Sequence, residues 1–193
     1  MGRNKEFDYE QKLEVALELF WKHGFHPTSI TDLENGMGIN RSSIYLTYGD
    51  KKTLLIKCLT KYMKSKVSEY ESVLNDSQSD AIETLRKTLR LAIDQSISEE
   101  RTCLAVKIAF EVALTDEDVR MLLAGNEKKI EKIYFEIIEK GQEQSCIKGD
   151  LDPKLTAAFL SGSSSALFKN YALNKNRKTI YDMIETLIKM IKA

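Results

Sequence analysis

Apolar residues recur at helical spacing along almost the entire chain, and very little punctuates them. Residues 8–23 set Leu13, Ala16, Leu17, Phe20 and Trp21 on one stripe. Ile130, Ile133, Tyr134, Ile137 and Ile138 form a second, and Ile180, Met183, Ile184, Leu187, Ile188 and Ile191 a third. Spacings of three and four residues put side chains on one face of an α-helix. Two prolines and nine glycines in 193 residues are too few for a strand-and-turn architecture. An all-α fold of about nine helices is predicted.

The sparse punctuation places the helix ends. Gly24 stops the first helix, with Phe25 folding back onto its end. Thr28 or Ser29 caps the second, and Asp32 stands in a capping-box-like position after Ser29. Gly36 and Gly38 break that helix around Met37. Asn40 then caps a short helix from Arg41 to Thr47, and Gly49-Asp50 turns the chain into a long amphipathic helix at 50–74. Asn75 to Asp80 (NDSQSD) reads as a linker. Helices follow near 80–97, 102–114, 116–140, 153–173 and 177–192. Thr115 is placed to cap the third of these and Gly141 to stop it; Pro153 suits a first helical position after a polar loop over 142–152. The run Ser161–Ala166 reads as mid-helix, because Leu155, Phe159, Leu167 and Phe168 keep the period through it. A flexible linker is the other reading.

Several classes are excluded. No apolar run approaches the roughly 20 residues that a bilayer span needs, and no apolar stretch follows Met1–Glu6, so neither a membrane segment nor a secretory signal is expected. Met1-Gly2 alone is too little context for myristoylation. Cys58, Cys103 and Cys146 are odd in number and far apart, and the histidines are His23 and His26. That opposes a disulfide framework and a metal site and fits a cytoplasmic location. No nucleophile elbow, P-loop, dinucleotide fingerprint or metal-ligand spacing is present, so neither an enzyme nor a cofactor is expected.

Net charge is zero, but it is unevenly spread. Residues 1–66 carry 11 basic against 8 acidic residues, and residues 67–193 carry 18 against 21. Within 40–66, Arg41, Lys51, Lys52, Lys57, Lys61, Lys64 and Lys66 face one acid, Asp50. Charge alone does not separate a phosphate-binding patch from a solvated helix face. The local pattern says more. Residues 29–47 supply what a helix-turn-helix requires: Ile30 and Leu33 facing inward, Gly38 for the tight turn, Ile39 in the angle, and Asn40 capping a recognition helix. That helix presents Arg41, Ser42, Ser43 and Tyr45 outward, with Ile44 and Tyr48 toward the core. Arginine pairs with guanine or phosphate, hydroxyls reach bases or phosphates, and Tyr45 suits a phosphate or a thymine methyl. Thr28 and Ser29 stand at a helix N-terminus, where phosphates bind, and Lys51 can reach the flanking backbone. An ordinary polar face on a helical hairpin fits the same spacing.

Residues 10–56 closely resemble the N-terminal domain of the TetR/AcrR family of bacterial regulators. The stretch GFHPTSITDLENGMGINRSSIYLTYGDKKTLL, Gly24 to Leu55, carries the likeness: a glycine-aromatic, Thr-Ser-Ile, Gly-Ile-Asn-Arg, then Tyr-x-x-aromatic-Gly-Asp-Lys. Tyr48 stands where many relatives have phenylalanine, and Gly36 where alanine is usual. The resemblance implies an all-helical homodimer that binds a double-stranded DNA operator and a small-molecule effector. A helix-turn-helix DNA-binding domain is expected over 1–50, linked by the helix at 50–74 to an effector-binding and dimerisation domain over 51–193. It assigns DNA contacts to Thr28, Ser29, Arg41, Ser42, Ser43, Tyr45, Tyr48 and Lys51, and repression as the default action.

For the body, Arg101–Val106 and Gly141–Leu160 look like segments of a TetR subgroup. Some of its members sense electrophiles or oxidants through a cysteine near this position; here Thr102 replaces the glycine often seen before it. A redox- or electrophile-sensing regulator acting through Cys103 is therefore the alternative function, with Arg101 or Lys107 as the basic groups that could activate the thiol. Tyr62, Met63, Cys103, Phe110 and Tyr134 are the candidate effector residues, with simple core as the competing role. The last two helices are the expected dimer interface, a four-helix bundle in a twofold dimer.

Overall fold

The computed structural model describes residues 7–76 and 79–193; the middle of the NDSQSD linker and the opening Met1–Glu6 lie outside them. Among the described residues the chain forms nine helices: α1 (Tyr9–His23), α2 (Ile30–Met37), α3 (Arg41–Tyr48), α4 (Lys51–Leu74), α5 (Ala81–Ser98), α6 (Leu104–Glu111), α7 (Glu117–Glu143), α8 (Pro153–Asn174) and α9 (Arg177–Ile191). The Ser161–Ala166 run lies inside α8, as the period of its flanks requires. No described helix is long and apolar enough to cross a membrane.

The helices group into two compact units. The first comprises the stretch up to Met63 together with Leu104–Leu123; the second comprises Lys64–Cys103 with Ala124–Ala193. α4 and α7 each continue through a unit boundary. In the first unit α1 packs on α2 and α2 on α3, around Phe20, Leu33, Met37, Ile44, Leu55 and Leu59, all fully buried. In the second, α5 packs on α8 and α9, which also pack on each other. Leu85, Leu89, Ile93, Ile137, Leu160 and Ile184 fill that core.

Side-chain caps start the helices. Asp8, Ser29, Asn40 and Asp50 accept from the backbone N–H three residues on in the first unit, at 2.7–3.1 Å; Asp80, Asp152 and Asn176 do so in the second. Each satisfies a donor that the helix leaves orphaned.

Four local expectations are corrected. α2 runs through Gly36, where an added Cβ would come 2.7 Å from the Leu19 side chain; only Gly38, in the left-handed region at φ 64°, ends the helix. Met37 is fully buried while Ile39 stays partly exposed, so Met37 fills the angle assigned to Ile39. Asp116, not Thr115, caps α7: its carboxylate accepts from the Val119 N–H at 3.1 Å, while the Thr115 hydroxyl donates to the Val112 carbonyl. Gly141 does not stop α7, which continues to Glu143. Glycine is needed there because Ile147 folds back onto it, into the space a Cβ would take. The turn is made by the Gly141 carbonyl, which accepts from the Cys146 and Ile147 N–H groups, and by Ser145 at φ 56°.

Candidate nucleic-acid interface

α2 and α3 form the helix-turn-helix of the first unit. Ile44 and Tyr48 seat α3 on the core, fully or almost fully buried. Its N-terminus is tied twice, by the Asn40 side chain on the Ser43 N–H and by a Glu34 carboxylate accepting from the Arg41 N–H at 2.6 Å. The opposite face presents Arg41, Ser42 and Tyr45, with Ser43 partly covered. Arg41 and Tyr45 form one surface: the guanidinium lies 5.5 Å from the Tyr45 ring centroid and donates to its hydroxyl at 3.4 Å. Leu46 joins this face at 88% exposure. The sequence reading passed over Leu46, although its place one residue after Tyr45 and two after buried Ile44 puts it on the outer face.

Two of the residues expected to touch DNA are buried in this structure. Thr28 is buried and its hydroxyl donates to the Gly24 carbonyl at 2.6 Å. Tyr48 is buried as well, its ring stacked on Tyr9 at 4.7 Å and its hydroxyl donating to the Tyr9 carbonyl at 2.9 Å. Burial pushes the Tyr48 phenol up to about 12. Both hydroxyls are thus engaged within the first unit.

Ser29 is exposed, but its polar groups are already engaged. Its hydroxyl and N–H both donate to the Asp32 carboxylate, at 2.6 and 2.8 Å, and these bonds hold the Asp32 carboxyl below its ordinary range. The α2 N-terminus therefore carries a fixed negative charge, which opposes the phosphate that a bare helix start would attract. Lys51 is half-buried. Its ammonium donates to the carbonyls of Phe25 and Thr28 at 3.0 and 2.9 Å and lies 4.3 Å from the Phe25 ring centroid. It fastens the turn before α2 and keeps one of its three N–H groups for another acceptor.

Three of the seven basic residues over 40–66 pair with carboxylates of the chain itself. Lys52 pairs with Asp118 and Asp116 at 2.7 and 3.1 Å, Lys61 with Glu14 and Glu10 at 2.8 and 3.1 Å, and Lys66 with Glu69 at 2.7 Å. The same carboxylates raise the Lys52 and Lys61 ammoniums above their ordinary range.

The remote stretch 104–123 completes the first unit through contacts the sequence did not announce. Lys107 donates to the carbonyls of Trp21 and Lys22 at 2.8 and 3.2 Å, closing the end of α1. The Glu111 carboxylate accepts from the His26 N–H at 2.7 Å, and its carbonyl lies 3.2 Å from the His26 ring Nε2. Gly24, between them, sits at φ 91°, ψ 175°, a region essentially reserved for glycine.

The expected effector residues do not fall in one unit. Tyr62, Met63 and Phe110 belong to the first; Cys103 and Tyr134 belong to the second. Tyr62 is packed edge-on against Trp21 and Met63 is buried. Phe110 is 76% exposed, which removes it as the wall of an enclosed pocket. Tyr134 is buried, its hydroxyl 3.3 Å from the Ser164 hydroxyl. Cys103 is partly exposed; Lys107 is spent on the α1 carbonyls, and the Arg101 Nε pairs with Glu99 at 2.6 Å.

Residues 13–58, which hold α2, α3 and the start of α4, match the family described as bacterial regulatory proteins, tetR family. Over that stretch the chain is similar to the transcriptional regulators of the TetR family. The TetR likeness extends beyond the head. The uncharacterised helix-turn-helix regulator YezE of Bacillus subtilis (strain 168) is 28% identical over 170 residues, covering 86% of this chain and 87% of YezE. The regulator AcrR of Shigella flexneri is 25% identical over 190 residues, covering 92% and 86%. A cysteine-substituted CifR, a TetR-family regulator solved with 26-base-pair operator DNA, shares the fold at a TM-score of 0.84 and 24% identity, covering 98% of this chain and all of that one.

Proposed function

We propose that this protein is a homodimeric repressor of the TetR family that grips an operator through α3 and releases it when a small molecule binds the second unit. The observation that carries the reading is the outer face of α3: Arg41, Ser42, Tyr45 and Leu46 stand exposed on a helix whose inner face is locked by Ile44 and Tyr48. This is the geometry of a recognition helix: a guanidinium for guanine, hydroxyls for base edges or phosphate, and an apolar residue for a thymine methyl. Ser43 and Lys51 complete the contact set at its edges. The operator-bound state of CifR and the repressor names among relatives, such as the probable acrEF/envCD operon repressor of Escherichia coli, support the same reading.

Dimerisation is supported by the outer side of α8 and α9. The apolar stripe of α9 is wider than its own core uses. Ile180, Ile184, Ile188 and Ile191 are buried, while Met183 and Leu187 line a groove of about 350 Å³ with Ala166, Leu167 and Thr186. A second copy laying the same two helices there forms a four-helix bundle and holds two heads about one DNA turn apart, roughly 34–36 Å. α4 and α7 are continuous through both units. An effector that prefers another arrangement of these helices lowers operator affinity, with a typical coupling of about 1–3 kcal/mol.

The test is selection of binding sites from random duplexes by the wild-type protein and by an Arg41→Ala, Tyr45→Ala variant. A near-palindrome enriched by the wild type alone is expected; equal enrichment by the variant removes α3 as the reader. The alternative, a redox or electrophile sensor, rests on Cys103 being partly exposed while Cys58 is buried and its thiol is pushed up by desolvation. Under that reading peroxide releases the operator from the wild type and not from Cys103→Ser; identical release from both eliminates it.

A further inference from the structure

One residue of the first unit ties both ends of the turn between α2 and α3. The Glu34 carbonyl accepts from the Gly38 N–H at 2.9 Å, which ends α2. The Glu34 carboxylate reaches seven residues on and accepts from the Arg41 N–H at 2.6 Å, at the first position of α3. α3 is eight residues long, too short to be stable by itself in water, so its first turn depends on partners outside the helix. The Asn40 side chain takes the Ser43 N–H, and Glu34 takes that of Arg41.

Arg41 is therefore held at its main chain and exposed at its side chain. Its N–H belongs to Glu34, while its guanidinium lies against Tyr45 on the outer face. In a helix-turn-helix the first residues of the second helix meet base edges, and a bidentate arginine contact is geometrically exacting. The same carboxylate opposes DNA in general. It puts a negative charge where a bare helix start would attract phosphate. The major groove is about 12 Å wide, so a charge at the start of α3 lies within a Debye length of phosphate, about 10 Å at 0.1 M salt. No ion pair joins Glu34 to a cation among the described residues, its side-chain bond going to the Arg41 N–H. With Asp32 on the Ser29 N–H, both helix starts of the helix-turn-helix carry carboxylates from α2.

We infer that Glu34 is a positioning residue that sets DNA specificity: it fixes Arg41 for base reading and closes the start of α3 to phosphate. The operator is thereby favoured over other DNA, while affinity for all DNA is lowered. The inference deepens the proposed function, since it rests on α3 being the helix that reads DNA. The bond acts on the operator, because only there does the held arginine find its base. The charge acts on every duplex, because every duplex presents the same phosphates.

Two variants of the full-length protein separate the bond from the charge. Glu34→Gln keeps a carbonyl oxygen for the Arg41 N–H and removes the charge. Glu34→Ala removes both and leaves α2 a good helix former. Affinity is measured by fluorescence anisotropy across a salt series, for the operator selected from random duplexes and for a scrambled duplex of the same length. Glu34→Gln is expected to bind both several-fold more tightly at low salt, with a gain that shrinks as salt rises, and to keep the wild-type ratio between them. Glu34→Ala is expected to bind the scrambled duplex at least as tightly as Glu34→Gln does. Its operator-to-scrambled ratio should fall about tenfold, toward the lower end of what one bidentate base contact contributes. A merely structural role would weaken both duplexes together and leave the ratio alone. A wild-type ratio in Glu34→Ala therefore overturns the inference. So does a ratio that falls as far in Glu34→Gln, or an unchanged scrambled-duplex affinity in Glu34→Gln. If the wild type selects no sequence at all, the reading of α3 fails and the inference with it. If it selects one and Glu34→Ala keeps the ratio, the reading of α3 stands and Glu34 alone loses its role.

Discussion

Both units are closed across the chain by bonds to main chain and by pairs of side chains, but the two kinds are distributed differently. In the first, the main-chain ties converge on the turn between α1 and α2: Lys107 on the Trp21 and Lys22 carbonyls, Lys51 on those of Phe25 and Thr28, and Glu111 on the His26 N–H. Its side-chain pairs, Lys52 with Asp116 and Asp118 and Lys61 with Glu10 and Glu14, stand away from that turn. In the second, the main-chain ties are scattered, on Ser79, Ala81, Ile97 and Met190, and side-chain pairs join helix to helix: Arg86 with Glu185, Tyr181 with Asp94, Ser161 with Glu127, and Tyr134 with Ser164. A bond to a carbonyl or an N–H fixes the path of the chain and is indifferent to the residue bearing it. A bond between side chains depends on both identities and is replaceable only as a pair. The turn that leads into α2 is thereby held in backbone geometry, while the second unit concentrates no such set of bonds on one turn.

The largest expected effect tests whether the units are separable in stability. Leu33 and Leu89 are both fully buried, one in each core. Leu33→Ala and Leu89→Ala should each cost about 2–5 kcal/mol. In hydrogen exchange, Leu33→Ala should lower protection in α1–α3 and Leu89→Ala in α5, α8 and α9; uniform loss from either would mean the division is not energetic. Next in size is Gly24→Ala. A side chain at that φ and ψ costs about 1–3 kcal/mol, and its Cβ would press on the Glu111 carboxylate at 2.7 Å. Urea midpoint and operator affinity should fall together, and a neutral result would show that the tie to α6 does not set the head. Ser29→Ala removes the capping box of α2 and should cost about 1 kcal/mol by the same denaturation.

Side-chain ties should yield less. Arg86 meets Glu185 with both side chains partly exposed, at 25% and 35%, so solvent screening holds Arg86→Met to about 1 kcal/mol or less, shrinking as salt is raised. Smallest is the pH response of the Lys52 cluster. Asp116 is held low by the Val119 N–H and then by Lys52, and Lys52 is held high by Asp118 and Asp116. The Asp116 contribution is present above its unfolded value and fades as pH falls through the lowered one. The Lys52 contribution is complete below its unfolded value and fades as base rises past the raised one. Melting temperature in Lys52→Met relative to wild type should therefore differ at neutral pH and converge at both extremes; a constant gap would assign the loss to packing.

Most of the fold was readable because its signals are local. Glycine stops, Asx and Ser caps and apolar periods act within four residues, and they placed α1, α3, α4, α8 and α9 almost to their ends. Gly36 and Gly141 misled because glycine serves close approach as well as helix termination, and only the facing Leu19 and Ile147 distinguish the two. The inner and outer faces of α3 were legible, yet Thr28 and Tyr48 were carried over as contacts when each hydroxyl had a carbonyl to satisfy. The effector set was the least readable. Of the expected residues, Tyr62, Met63 and Phe110 fall in the first unit and Cys103 and Tyr134 in the second, and no spacing rule tells which side chains of separate helices come together.

Because Lys107, Glu111, Asp116 and Asp118 are part of the first unit, the head cannot be finished when its own helices leave the ribosome. Some 60 residues separate Met63 from Leu123, and at about 5–20 residues per second they take roughly 3–12 s to synthesise. For that interval α1–α3 exist without the lysine that closes α1 and the carboxylate that holds the turn after it. The nascent chain carries an incomplete first unit, and the last of its bonds arrive together with the first turns of α7.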